Sequence, residues 1–120
     1  VNSRNKVSFF SSQDEVDAAA LMGTTESLGA QPAAEVQVGE VVKVYGAIRA
    51  LRIRPNTSVP MVEVDLWDGS GLITLIWLGR RSIAGITPGR ALTAEGRLTL
   101  GPADQPTLFN PRYELLAVGE

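Results

Sequence analysis

Two apolar runs of strict alternation lie on either side of a polar glycine turn. In Met61 to Trp67, the residues Val62, Val64 and Leu66 share one side, and in Leu72 to Leu78 the residues Ile73, Leu75 and Trp77 do the same. Glu63, Asp65, Thr74 and Ile76 fall on the opposite sides. A period of two marks strands with one buried face. The joining stretch, Trp67-Asp68-Gly69-Ser70-Gly71, supplies glycines that tolerate positive φ and side-chain oxygens that cap a tight turn. The pattern predicts two consecutive antiparallel strands.

The same pattern extends outward from this pair. Val41 to Arg54 reads as a long first strand whose apolar parity changes, with Val42, Val44, Gly46 and Ile48 on one phase and Leu51 and Ile53 on the other. A β-bulge near Ala50 would keep all six inward and place Arg49, Arg52 and Arg54 together outside. Ala91 to Leu100 predicts a fourth strand with Leu92, Ala94, Gly96, Leu98 and Leu100 inward and Thr93, Glu95, Arg97 and Thr99 outward. Thr107 to Val118 predicts a fifth, broken at Asn110-Pro111. The connection from Gly79 to Gly89 holds a proline and further glycine and is poor for a helix.

Ahead of the strands, Ser12-Gln13-Asp14-Glu15 matches a capping box with an acidic first turn, so a short helix is expected over 13–22, ended by Gly23. Residues 1–11 read as a flexible arm with Phe9 and Phe10 as apolar anchors, and Thr24 to Ala34 as a linker. The expected class is all-β: a five-stranded OB-fold Greek-key barrel at 36–120, with the arm and short helix at 1–35. Since the third-to-fourth connection is unsuited to a helix, the 13–22 helix is expected to plug the barrel or pack against a partner.

Composition narrows the function. At 120 residues and 44% hydrophobic content, the chain suits one ordinary domain. Its longest apolar run, Leu72 to Leu78, is far short of the roughly 20 residues a membrane span needs. No secretory signal layout precedes the domain, so no membrane partner and a cytoplasmic location are expected. The chain has no Cys and no His, which removes the commonest nucleophile, base and transition-metal ligands, so neither catalysis nor a cofactor is expected. Asp65 and Asp68 are three apart around a turn and make a thin site for a hard cation, because Asp68 is required by the turn.

Net charge is −2, but it is unevenly spread. Residues 1–40 hold two basic and six acidic side chains, whereas residues 41–120 hold nine basic and seven acidic ones. Eight of the nine are Arg, which both stacks on bases and binds phosphate through a planar fork.

Five segments carry a family resemblance: Val-Tyr-Gly-Ala-Ile-Arg at 44–49, Asp-Gly-Ser-Gly-Leu-Ile-Thr-Leu-Ile-Trp-Leu-Gly-Arg-Arg at 68–81, Ile-Ala-Gly-Ile-Thr-Pro-Gly-Arg at 83–90, Ala-Glu-Gly-Arg-Leu at 94–98, and Asn-Pro-Arg-Tyr-Glu-Leu at 110–115. In this order they resemble the actinobacterial OB-fold nucleic-acid-binding proteins and, more distantly, the wedge domain of RecG-type branch-migrating DNA helicases. The resemblance spans about 41–116. It implies single-stranded or junction nucleic acid as partner, DNA or RNA, and no chemistry by the module itself. The GxxxxGK[ST] phosphate loop of a helicase motor does not occur in this chain.

OB-folds bind strands across their second and third strands and between the 1–2 and 4–5 loops, with cations along the backbone and aromatic rings under the bases. Here that predicts Lys43, Arg49, Arg52, Arg54, Arg80 and Arg81 as phosphate contacts and Tyr45 and Trp67 as stacking platforms. Each has a structural alternative: the two aromatics can be packing residues, and the arginines can pair with carboxylates. Arg97 and Arg112 read as structural. Glu63 and Asp65 would repel phosphates at the centre of the same surface. The outward Leu72, Thr74 and Ile76, beside Met61 and Trp67, support a different function, an apolar interface with another protein or a second copy of the chain. A contiguous apolar face would favour that reading, and a continuous Arg stripe would favour nucleic acid.

Overall fold

A computed structural model describes residues 12–54 and 58–116, with side chains from residue 18 onward. The expected arm at 1–11, the side chains of the capping box and the end of the last predicted strand lie outside the described residues. The elements are α1 (Ser12–Ser27), β1 (Val41–Arg54), β2 (Met61–Trp67), β3 (Leu72–Leu78), β4 (Ala91–Leu100), β5 (Pro106–Phe109) and β6 (Arg112–Leu115). Short 3-10 turns lie at Ala33–Glu35 and Pro102–Asp104.

The sheet runs β1-β2-β3-β5-β4-β6, and an additional β1–β4 pairing closes five of the six strands into a ring. β1 is long because it serves two partners. Val41 to Ala47 pair antiparallel with β4, and Ala47 to Arg54 pair antiparallel with β2. Register slips between Ile48 and Ala50, which leaves Arg49 as the extra residue of a bulge where the parity change predicts one. β3 and β5 close the ring through a short parallel ladder, Thr74 to Ile76 against Thr107 to Phe109. The expected fifth strand is split in two at Asn110, whose φ of +51° turns the chain, so that β5 pairs with β3 and β4 while β6 pairs with β4 alone.

Val42, Val44, Ile48, Val62, Val64, Leu66, Ile73, Leu75, Leu92, Ala94, Leu98 and Leu108 fill the ring, as period-two patterning requires. The bulge carries Leu51 onto this core, but Ile53 is 47% exposed, because the end of β1 has only β2 beside it. Leu100 is likewise exposed, at the end of β4 beyond the core. Gly46 is required where β1 meets β2: a Cβ there would lie 2.5 Å from the Trp67 carbonyl oxygen.

The core is closed at its ends by segments other than the helix. Ile83 and Ile86 from the 79–89 connection are both 6% exposed and join the core cluster, as does Ala33 from the first 3-10 turn. No described side chain of α1 belongs to that cluster. α1 is therefore not the plug; it packs outside, on β1 and on the 68–71 turn, where a Cβ on Gly69 would meet Ala18 and Met22.

The helix also runs past Gly23 to Ser27. Thr24 and Thr25 are accommodated because their hydroxyls donate back to the carbonyls of Ala20 and Leu21. It stops at Gly29, φ +70°, in a Schellman closure: Ala30 N–H donates to Thr25 O and Gly29 N–H to Glu26 O.

Candidate nucleic-acid interface

The Asp-Gly-Ser-Gly turn is held by one carboxylate. Asp68 is 2% exposed; its Oδ1 accepts from the N–H groups of Ser70 and Gly71 and from the Ser70 hydroxyl, and its Oδ2 accepts from Ala33 N–H at 2.6 Å. Ala34 N–H donates to the Ser70 hydroxyl. Asp68 thereby ties the segment after α1 to the β2–β3 turn, and with its oxygens so used it is not a cation ligand. Among the described residues no group of three or more metal-ligating side chains occurs.

The outer side of β1, β2, β3 and β5 is ordered in rows by the ladders. Arg54 is paired with Met61 and Met61 with Leu78; Arg52 with Glu63, Glu63 with Ile76 and Ile76 with Phe109; Ala50 with Asp65, Asp65 with Thr74 and Thr74 with Thr107; Trp67 with Leu72. Polar groups fill the middle. The Arg52 guanidinium reaches Asp65 Oδ1 at 2.9 Å and Glu63 Oε2 at 3.3 Å, and Arg54 Nε reaches Glu63 Oε1 at 3.0 Å. Burial pushes the Glu63 carboxyl up, but the hydrogen bonds from Arg52 and Arg54 outweigh it and hold the group below its ordinary value. Asp65 and Glu63 in turn hold the Arg52 guanidinium above its ordinary value. The carboxylates of this face are thus matched by two arginines, and the arginines by two carboxylates.

Beside the ion pairs lies a groove of about 250 Å³, lined by Arg52, Asp65, Leu72 and Thr74 and, from the β4–β5 connection, Pro102 and Gln105. Gln105 Nε2 donates to Leu72 O, which draws that connection over the start of β3. Trp67 pairs across the ladder with Leu72, one of the residues that line this groove, and Arg49, displaced outward by the bulge, lies over the Trp67 ring at 4.7 Å from its centroid.

The predicted residues therefore separate. Arg49, Arg52, Arg54 and Trp67 share one face. Lys43 is engaged elsewhere: its Nζ donates to Leu28 O at the end of α1, and its backbone pairs with Gln31. Tyr45 lies on the outer side of β1, where α1 packs, and is only 6% exposed, so its ring has little surface left for a base. Arg80 and Arg81 follow β3, are exposed, and have no hydrogen-bond or ion-pair partner among the described residues. Arg80 lines a second, open groove of about 590 Å³ with Thr93, Glu95, Arg112 and Tyr113. There the Arg112 guanidinium pairs with Glu95 at 3.3 Å, and Trp77 meets Tyr113 edge to face at 5.5 Å. Arg97 donates to Gly39 O.

The outward residues of β3 differ from a free apolar face. Thr74 is 6% and Ile76 5% exposed, in a strand that is flanked on both sides. The exposed apolar positions are split, Leu72 at one end and Leu78 and Phe109 at the other, with the ion pairs between them. The face is neither a contiguous apolar surface nor a continuous Arg stripe. Gln105 and Thr74 are groove residues that the sequence does not single out: Gln105 sits in a turn without periodicity, and Thr74 falls on the same strand side as the apolar Leu72 and Ile76.

No protein-family model matches the sequence, and no curated protein is significantly similar to it. Among solved structures, the fold is similar to RecG in its structure bound to a three-way DNA junction, with a TM-score of 0.55 and 17% identity over 68% of this chain. The chain spans 12% of that protein's length. No helix of the described residues is long and apolar enough to cross a membrane.

Proposed function

We propose that this chain is an OB-fold nucleic-acid-binding module that holds a single strand, or the single-stranded part of a junction, across the β1-β2-β3-β5 face. The observation that carries the reading is the Arg49–Trp67 stack, whose Trp67 pairs with Leu72 of a groove that the β4–β5 connection partly overhangs. An aromatic platform beside a cation without a carboxylate partner suits the way OB-folds take oligonucleotides, which supports this reading. The fold-level likeness to a RecG bound to a DNA junction supports the same ligand class and makes DNA the first ligand to test.

In this reading a base stacks beside Trp67, Arg49 contacts the adjoining phosphate, and Arg80 and Arg81 meet the strand beyond β3. Arg52 and Arg54 are weaker phosphate contacts, because each already shares its charge with a carboxylate. Lys43 and Tyr45 are left to hold α1 and the sheet. The module binds and does no chemistry. Trp67 is half-buried and Trp77 buried, so intrinsic fluorescence reports the platform. Oligo-dT is expected to quench it, with affinity reduced about fivefold or more in Trp67→Ala, since stacking on one base is worth about 1–3 kcal/mol, and with a smaller loss and a shallower salt dependence in Arg49→Ala. Unchanged affinity in both variants would remove this face as the site.

A further inference from the structure

The groove beside Trp67 holds an unusual combination for a polyanion site: a carboxylate with spare capacity and a buried hydroxyl with no partner. Asp65 Oδ1 accepts from Arg52, whereas no donor among the described residues meets Oδ2. Thr74 lies directly across the β2–β3 ladder from Asp65, is 6% exposed, lines the groove, and its hydroxyl makes no hydrogen bond. That hydroxyl is not sealed inside the protein, since no fully buried side-chain polar atom lacks a partner among the described residues. It opens into the groove, where water or a ligand can meet it.

Asp65 and Glu63 make the groove itself less favourable to a phosphate than the Arg49 side of the face, and a base is the part of the strand that suits it. The bases differ in what they offer a carboxylate. Thymine flanks its single N–H with two carbonyl oxygens, cytosine sets two acceptors beside its amino group, and adenine sets a ring acceptor beside its own. Only guanine presents two adjacent donors, N1–H and N2–H, which a carboxylate accepts together because each oxygen has more than one lone-pair site. We infer that Asp65 and Thr74 form a guanine-reading pocket, in which the Asp65 carboxylate accepts from guanine N1–H and N2–H and the Thr74 hydroxyl donates to O6. Arg52 holds the carboxylate in place from one side, acting as a positioning residue, and Leu72 and Pro102 give the base apolar contact. This rests on the nucleic-acid reading above and adds a base preference to it.

The test compares three labelled 15-mers by fluorescence anisotropy: oligo-dT, the same strand with three dispersed guanines, and that strand with inosine, which lacks the N2 amino group, in their place. The expected result is about tenfold tighter binding of the guanine strand, since a good bidentate base contact carries that order of discrimination. Inosine should lose most of the gain. Asp65→Asn should abolish the preference, and Thr74→Val should narrow it. The inosine comparison uses unaltered protein, so it stands even if a variant folds poorly. Equal affinity for all three strands overturns the guanine pocket and leaves the nucleic-acid reading intact. No binding to any strand at low salt overturns both.

Discussion

Asp68 shows how a single side chain can be chosen by structure in a sequence that invites a functional reading. It accepts from the backbone N–H groups of Ala33, Ser70 and Gly71 while itself 2% exposed. Removing the carboxylate leaves those donors competing for too few acceptors, and an orphaned buried donor costs about 1–3 kcal/mol. Asp68→Ala is therefore expected to lower stability by about 2–4 kcal/mol in urea denaturation. Oligonucleotide affinity at a temperature where the variant is folded should be preserved. The preceding residue, Trp67, has the opposite character: its ring is half-open and covered by a guanidinium that a bulge has pushed outward. Arg52 and Glu63 lie between these extremes, since their exposed fractions of 39% and 19% keep the ion pair partly in solvent, where such pairs contribute little alone. They organise the face more than they stabilise it.

At the scale of elements, closure of the ring falls to the irregular 79–89 connection. Ile83 and Ile86 fill the space that a helix would otherwise occupy, so Ile86→Ala is expected to cost about 2–4 kcal/mol in chemical denaturation. A loss below about 1 kcal/mol would show that the connection merely lies over the core. β1 to β4 and the bulge were legible in the sequence because each half-buried strand advertises itself by alternation, and the bulge by one change of phase near Ala50. The limits of α1 were not, because Gly23 carries a stop signal that the local hydrogen bonds of Thr24 and Thr25 and the closure at Gly29 override. The burial of Tyr45, Thr74 and Thr93 was equally hidden: parity tells which side of a strand a residue faces, whereas what covers that side is set by elements distant in sequence. The candidate site was legible in its arginines and Trp67 but not in its pairing, because the Arg52 bridge depends on which residue of β2 lies opposite each residue of β1.

For the whole molecule, the net charge of −2 and the local chemistry point in different directions. The acidic residues before β1 carry the excess negative charge, while the ring carries Arg49, Arg80 and Arg81 without carboxylate partners among the described residues. A strand drawn by so few free cations should bind in the micromolar range and be moderately salt-sensitive, because each phosphate neutralised on a single strand contributes about −0.7 to the slope of log affinity against log salt. The most direct measurement is fluorescence anisotropy of a labelled single strand titrated at low and near-physiological salt, with duplex and forked DNA alongside. The account predicts single-strand and fork binding in the micromolar range with a slope of about −2, and weaker binding to blunt duplex. Absence of single-strand and fork binding at low salt, where the attraction of free cations is strongest, would contradict it.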